Sequence, residues 1–181
     1  MKKISKLLTF TVLLTIAFIS CEDDETIFEK KGENNYSYNE SLNTWNQLKN
    51  FNGNSYTYET TSGSWTGYGS TTKLEIENGI VISRTNQRYQ INGSNGEKDI
   101  IDSYSETIEN LGTHNYGAAP LTIDEIYNFC AEELLIVDKK NNTIYFETKE
   151  NGLISLCGYV PDNCIDDCFT GISIEEFSWI N

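Results

Sequence analysis

Four of the five cysteines lie in the C-terminal third of the chain, and their chemistry is the best defined in the sequence. They are Cys130, Cys157, Cys164 and Cys168. An even number of cysteines in an exported chain predicts disulfide bonds, here two, and three pairings are possible. Ile154 and Leu156 are predicted to face inward on a strand, which turns Cys157 away from the helix that carries Cys130. The alternation of side chains along the strand therefore favours a bridge from Cys157 to Cys164 or Cys168.

The same C-terminal segment contains possible metal ligands. Cys164 and Cys168 have the spacing of a zinc-binding pair, but neither a second cysteine pair nor a nearby histidine completes the site, so a structural zinc is disfavoured. The oxygen atoms of Asp162, Asp166 and Asp167 are weak candidates for a calcium site on a disulfide-braced loop. Because the spacing is not that of an EF-hand, we favour a polar turn in which the aspartates accept backbone hydrogen bonds.

Groups for catalysis are few. His114 is the only histidine, and it lies in the turn-rich stretch 112–116 with no nucleophile motif nearby. Carboxylate pairs are numerous, but an acidic surface accounts for them, and a glycosidase would need two facing each other in a cleft. We predict that the protein is not an enzyme, with no catalytic residues and no cofactor.

Two aromatic residues are candidates for ligand contact. Trp65 and Tyr68 lie in a loop rich in Gly and Ser, where their rings could stack on a sugar. Aromatic residues near strands more often pack in the core or across strands. Surface glycan binding is therefore the alternative prediction. The first prediction is a protein-binding module or accessory subunit of the cell envelope that uses an exposed sheet face.

The N-terminus has the pattern of a signal peptide. Three lysines at positions 2, 3 and 6 precede an apolar run over residues 7–19, which is shorter than the roughly 20 residues of a membrane-spanning helix. Ser20 stands directly before Cys21. This pair resembles the lipobox of bacterial lipoproteins, from which Phe18 departs. The resemblance implies cleavage before Cys21 and a diacylglycerol on its thiol. The alternative is an ordinary secreted chain with a free thiol at this position.

Four acidic residues follow Cys21, at positions 22–25. They resemble the surface-export signal of lipoproteins in the Bacteroidetes, which implies an outer-membrane lipoprotein exposed on the cell surface. The alternatives are an acidic tether without an address function and a location on the periplasmic face. The polar segment from Thr26 to about Tyr38 is predicted to be a flexible linker. The predicted organisation is residues 1–20 signal peptide, 21–39 lipidated cysteine and linker, and 40–181 one domain.

The charge of the chain limits its partners. Removing the signal peptide takes away three of the 13 basic residues and none of the 27 acidic ones, which changes the formal net charge from −14 to −17. Such a surface repels phosphate backbones, so nucleic acid is excluded as a partner and membrane contact is expected only through the lipid anchor. Cations or a basic partner fit this charge.

Helix and strand signals alternate along the domain. A helix is predicted over about 40–50, with Trp45 on its apolar face, and a second helix begins at the Thr122–Glu125 capping box. Asn78-Gly79 and Asn151-Gly152 each predict the turn of a hairpin. Strands are also expected from residue 55, over 101–108 and over 172–180, with a loop over 90–98. The predicted fold class is α+β, two helices packed on an antiparallel sheet, with a helix-plus-about-four-strands arrangement stated twice.

A set of short motifs resembles a family of uncharacterised bacterial exported lipoprotein domains. The motifs are Trp45 on its helix, Tyr56-Thr57-Tyr58, Asn78-Gly79, the segments 121–126 and 151–154, and Asp166-Asp167. The resemblance covers about residues 42–180, and the cysteines depart from it. It implies a fold and no activity.

Overall fold

The computed structural model describes residues 26–180, and the main element is one seven-stranded antiparallel sheet with two short helices on one face. The predicted signal peptide, the lipidation site Cys21 and the acidic residues 22–25 lie outside the described residues. In chain order the elements are α1 (Tyr38–Asn52), β1 (Tyr56–Gly63), β2 (Tyr68–Glu77), β3 (Ile80–Ile91), β4 (Lys98–Thr107), α2 (Ile123–Phe129), β5 (Asn142–Thr148), β6 (Ile154–Pro161) and β7 (Thr170–Trp179). A π-helical turn, Cys130–Leu134, continues α2. The strand order is β4-β3-β2-β1-β7-β6-β5.

The predicted fold class is wrong. The protein is β-rich, its second helix has only seven residues, and three strands follow it rather than four. The prediction missed the polar parts of strands: β2 begins at Tyr68 and β4 at Lys98, where serine, threonine and charged residues replace apolar alternation. Threonine favours extended backbone even where neither sheet face is buried, so these strands give no period-2 apolar signal.

The helices cover the half of the sheet that contains the core. Trp45 of α1 is fully buried, and its ring stacks on Trp179 of β7 with centroids 5.6 Å apart and meets the edge of Tyr56 of β1. The predicted inward face of the second helix is confirmed, because Ile123, Ile126, Cys130 and Leu134 are all buried. Within residues 26–180, none of the helices is long and apolar enough to cross a membrane.

The cap prediction and the Asn78-Gly79 turn are confirmed, whereas Asn151-Gly152 lies in a five-residue connection between β5 and β6 in which Gly152 but not Asn151 has a positive φ. The Thr122 side chain accepts the N–H of Glu125, whose carboxylate accepts the N–H of Thr122, as expected for a capping box. Asn78 and Gly79, with φ of 51° and 80°, close the β2–β3 hairpin. Both residues occupy the left-handed region that a type I′ turn requires.

Two disulfides are present, but the favoured pairing of Cys157 is wrong. Cys130 pairs with Cys157 (Cα–Cα 6.1 Å) and Cys164 with Cys168 (6.2 Å). The reason is a β-bulge in β6: Glu147 of β5 pairs with Leu156 and Thr148 with Ile154, which leaves Ser155 as an extra residue. The bulge changes the phase of alternation, so Cys157 faces the helices like Ile154.

The segment predicted as a linker packs against the domain from Ile27 onward. The Phe28 ring meets the edge of the Tyr38 ring at 5.2 Å, and the N–H of Glu33 donates to Glu147 Oε2 of β5 at 2.7 Å. Helix α1 begins at Tyr38, capped by Ser37. The packed part of the domain therefore starts about a dozen residues before position 40.

Candidate functional site

The main cleft of the protein lies where β1 and β7 separate. Strand β1 pairs with β2 along its whole length to Gly63, but its pairing with β7 stops at Thr60, opposite Ile174. The last step of that pairing contains a bulge at Glu175 of β7. A bulge bends a strand and can end its pairing, so β7 leaves β1 here and follows β6 alone. The gap opens toward the helix side of the sheet.

The main cleft has a volume of about 530 Å³ and is lined by hydroxyl and apolar groups. Its polar side comes from β1 and β2, with Thr60, Ser62, Ser70 and Thr72. Its apolar side comes from α2, β7 and the loop before α2, with Ile126, Phe129, Ile172 and Leu121. None of the residues that line it, all within 58–173, carries a charge. The size is in the range of ligand-binding sites, and the lining suits an uncharged group.

Glu175 closes the gap on the opposite face of the sheet. Its Oε1 accepts hydrogen bonds from Thr61 Oγ1 at 3.0 Å and from Ser173 Oγ at 3.2 Å. The Lys149 ammonium donates to the Glu175 backbone carbonyl at 2.7 Å. The bulged residue therefore holds the two separating strands at a set distance and leaves the cleft accessible from the helix side.

A buried ion pair holds the loop that forms one wall of the main cleft. Arg84 of β3 and Glu106 of β4 are almost fully buried, and the guanidinium donates to both carboxylate oxygens at 2.8 and 3.0 Å. Arg84 also donates to the backbone carbonyls of His114 (2.8 Å) and Ala118 (3.0 Å). Because Ala118 lines the cleft, the ion pair sets the position of that wall.

Glu106 accepts further hydrogen bonds from the same loop. The N–H groups of Gly112 and His114 each donate to it at 2.8 Å, and His114 Nδ1 lies 2.9 Å from Oε1. Burial by itself would raise the pKa of Glu106, but these bonds and Arg84 outweigh burial and hold the pKa well below its usual value. The carboxylate stays ionised, so the ion pair persists at neutral pH.

Gly117 is required at the point where this loop reaches the sheet. Its φ is +82°, and a Cβ there would lie 2.8 Å from both Asn86 Nδ2 and Tyr104 Oη. The Ala118 N–H donates to Thr72 Oγ1 at 2.9 Å, directly beside this contact. A side chain at Gly117 would push the loop away from β2 and widen the cleft.

A smaller side cleft of about 350 Å³ adjoins the main cleft, with which it shares Ser62, Ser70 and Gly117. Tyr68, Tyr116 and Arg88 are the large side chains among its other lining residues. The Arg88 guanidinium lies 5.3 Å from the centre of the Tyr116 ring. The side cleft is thus more aromatic and carries a positive group. The two clefts are neighbours that share Ser62, Ser70 and Gly117 as lining residues.

The structure places the two predicted ligand-contact residues differently. Tyr68 is 49% exposed and lines the side cleft, whereas Trp65 is 74% exposed and lines neither cleft. The Trp65 indole N–H donates to Asp166 Oδ2 at 2.9 Å, and its backbone N–H donates to Asp167 Oδ2 at 3.1 Å. The β1–β2 turn is therefore tied to the disulfide loop that joins β6 and β7.

The candidate metal ligands have protein partners. Asp166 and Asp167 hold Trp65, and Asp162 accepts from Thr143 Oγ1 at 3.1 Å. In the described part of the chain, no group of three or more His, Cys, Asp or Glu side chains is arranged to hold a metal ion. Both hydrogen-bond acceptors of Trp65 thus come from the paired aspartates.

His114 packs on the neighbouring tyrosines rather than in either cleft. Its ring stacks on Tyr104 with centroids 4.0 Å apart, and Nδ1 points at the buried Glu106 carboxylate. Sequence analysis missed Arg84 and Glu106 altogether. No sequence signal was available for them, because an extra residue, Ile82, in the β2–β3 pairing changes which β3 residues face inward.

No family model, no curated protein and no solved structure matches this chain.

Proposed function

We propose that this protein is an exported, membrane-anchored lipoprotein whose single domain binds a protein partner in the main cleft and does no catalysis. The observation that carries the proposal is the uncharged lining of a 530 Å³ cleft in a chain of formal net charge −14. Apolar pockets with a few polar groups are typical of binding sites. A rigid ion pair supports the loop wall, as expected for a preformed site.

A pair of variants on one strand tests the site. Ser70→Trp puts a large side chain into the cleft, whereas Thr71→Trp puts the same side chain on the opposite face of β2. We expect proteins cross-linked to the full-length chain on intact cells to be lost with Ser70→Trp and kept with Thr71→Trp. If a partner is cross-linked in equal yield to both variants, its interface lies outside the main cleft.

The lipid anchor is tested by the mass of the protein purified from membranes. We expect a chain that starts at Cys21 with two or three acyl groups and that protease removes from whole cells. A Cys21→Ser variant should be released from the membrane fraction. An unmodified chain that retains residues before Cys21 would contradict the anchor, and a lipidated chain that protease cannot reach would indicate the periplasmic face.

A second candidate function, binding of surface glycans, is favoured by Trp65. Its indole is exposed, yet its orientation is held by Asp166, as in an aromatic platform for a sugar ring. Titration with soluble polysaccharides should quench the fluorescence of the wild-type protein and leave a Trp65→Phe variant unchanged, since Trp45 is buried and the half-buried Trp179 stacks on it. If no polysaccharide changes the fluorescence of the wild-type protein, glycan binding is contradicted and protein binding is the one remaining proposal.

A further inference from the structure

We infer that the occupant of the main cleft is an extended peptide segment of the partner, whose main chain forms hydrogen bonds with the backbone edges of β1 and β7 where these strands separate. The inference rests on the proposed function and names the kind of ligand.

The edge of β1 that faces the gap has backbone groups without a strand to pair with. Ser64 N–H donates to the Tyr68 carbonyl on the β2 side at 2.8 Å, so the N–H of Gly63 points the other way, toward β7. Over residues 61–63 the described strands provide a partner only on the β2 side. Open edges of this kind accept an added strand.

The edge of β7 that faces the same gap is open as well. Residues 170–173 pair with Leu156–Tyr159 of β6 on one side, and the β1 pairing begins only at Ile174. Gly171, Ile172 and Ser173 all line the main cleft. An incoming main chain would therefore find donors and acceptors on both sides of the gap, at the base of the cleft.

The walls above the gap determine which side chains fit. A strand alternates its side chains between the two faces of a sheet. A peptide in the gap would direct every second side chain toward Ile126 and Phe129 of α2, and Phe129 is 41% exposed in the free protein. The others would face Glu175, which lies on the opposite side of the sheet. Alternating apolar and neutral or basic residues match this arrangement.

The carboxylates around the gap and the net charge of the chain favour a neutral or basic peptide over an acidic one, although Lys149 and Arg88 also lie near the gap. Glu175 lies under the gap, Asp166 and Asp167 lie beyond its far end, and the formal net charge of the chain is −14. A peptide with basic residues beside its apolar ones gains attraction to this surface, whereas an acidic one is repelled. The uncharged cleft itself accepts the apolar side chains.

The probe for this inference is a phage-displayed library of random linear peptides of about 12 residues, selected on the full mature chain. The Ser70→Trp variant removes cleft-independent binders and Thr71→Trp is the matched control. We expect enriched peptides to share two apolar residues two positions apart, with no proline between them. Failure to enrich any peptide above the Ser70→Trp background would overturn the inference.

A chemical change in the peptide tests main-chain pairing directly. N-methylation of the three central residues of a selected peptide removes its donors and keeps its side chains. We expect this change to weaken binding at least tenfold, and N-methylation of the two terminal residues to change it less than twofold. If the centrally N-methylated peptide binds as tightly as the unmodified one, the inference of main-chain pairing is overturned, while the cleft remains a binding site. Equal binding to the Ser70→Trp variant would instead contradict the proposed site.

Discussion

At the scale of single residues, the Arg84–Glu106 pair has the most structural consequence. Removing one partner of a buried pair leaves an uncompensated buried charge, which is costly even where the intact pair adds little net stability. Here the charge would remain among backbone groups of the loop that forms the cleft wall. Both the stability of the fold and the shape of the site therefore depend on this pair.

We predict that Arg84→Met lowers the free energy of unfolding by about 3–5 kcal/mol. The buried Glu106 carboxylate would lose two donors, at 2.8 and 3.0 Å. Urea unfolding followed by circular dichroism measures the change. Arg88→Met, at an arginine that is about half exposed and 3.9 Å from Asp102, is the control and should cost less than about 1 kcal/mol. Equal costs at the two positions would contradict this account.

The depressed pKa of Glu106 predicts acid sensitivity. Because the folded pKa lies below the unfolded value, which is about 4.3 for Glu, the stabilisation is complete above that value. It is lost progressively as pH falls below about 4 toward the folded pKa. The free energy of unfolding, measured between pH 6 and 2, should fall more steeply for the wild type than for Glu106→Gln.

At the scale of elements, the features that the sequence predicted correctly are formed by neighbouring residues. The features that it missed depend on how one strand pairs with another. The Thr122–Glu125 cap and the Asn78-Gly79 turn are formed by neighbouring residues, so their signals are complete in the sequence. The bulges at Ser155 and Glu175 arise only when one strand pairs with another. Because each bulge changes which side chains face inward, the bridge of Cys157 and the position of the main cleft could not be predicted.

The two disulfides should contribute unequally to stability. Loop-closure entropy gives about 3–4 kcal/mol for Cys130–Cys157, with a sequence separation of 27, and about 2 kcal/mol for Cys164–Cys168, with a separation of 4. The paired alanine variants, compared by thermal unfolding, should follow this order. In the Cys164→Ala/Cys168→Ala variant we also expect higher mobility of Trp65, because Asp166 and Asp167 lie within that loop. An unchanged Trp65 fluorescence anisotropy would contradict this coupling.

At the scale of the whole molecule, strand β7 makes one sheet of the two parts of the chain. It pairs with β6 at its beginning and with β1 at its end, so the segments before and after α2 share a core. The sequence predicted the strands approximately. The pairing of β7 with β1 has no local signal, because the two strands are far apart in the sequence. The predicted repeat of a helix with about four strands is wrong, because four strands precede α2 and only three follow it.

We predict that this arrangement unfolds as a single unit. Trp45 stacks on Trp179 across the two parts of the chain, so tryptophan fluorescence reports on the contact between them. Circular dichroism reports on the whole sheet. In a Trp65→Phe background, tryptophan fluorescence and far-ultraviolet circular dichroism should give coincident urea transitions. Two separated transitions would mean that the strands on either side of β7 are independent folding units.

The contacts of residues 26–37 with strand β5 shorten the reach of the domain. A tether that ran from Cys21 to residue 39 could extend about 60 Å, but only six residue steps, about 20 Å, separate Cys21 from Ile27, the first residue that packs against the core. On a lipidated Cys21 the domain would therefore stand close to the membrane surface with the β5 edge nearest to it. If the proposed lipid anchor is present, a partner would meet this protein at the bilayer rather than at a distance, and crowding by neighbouring molecules would govern access to it.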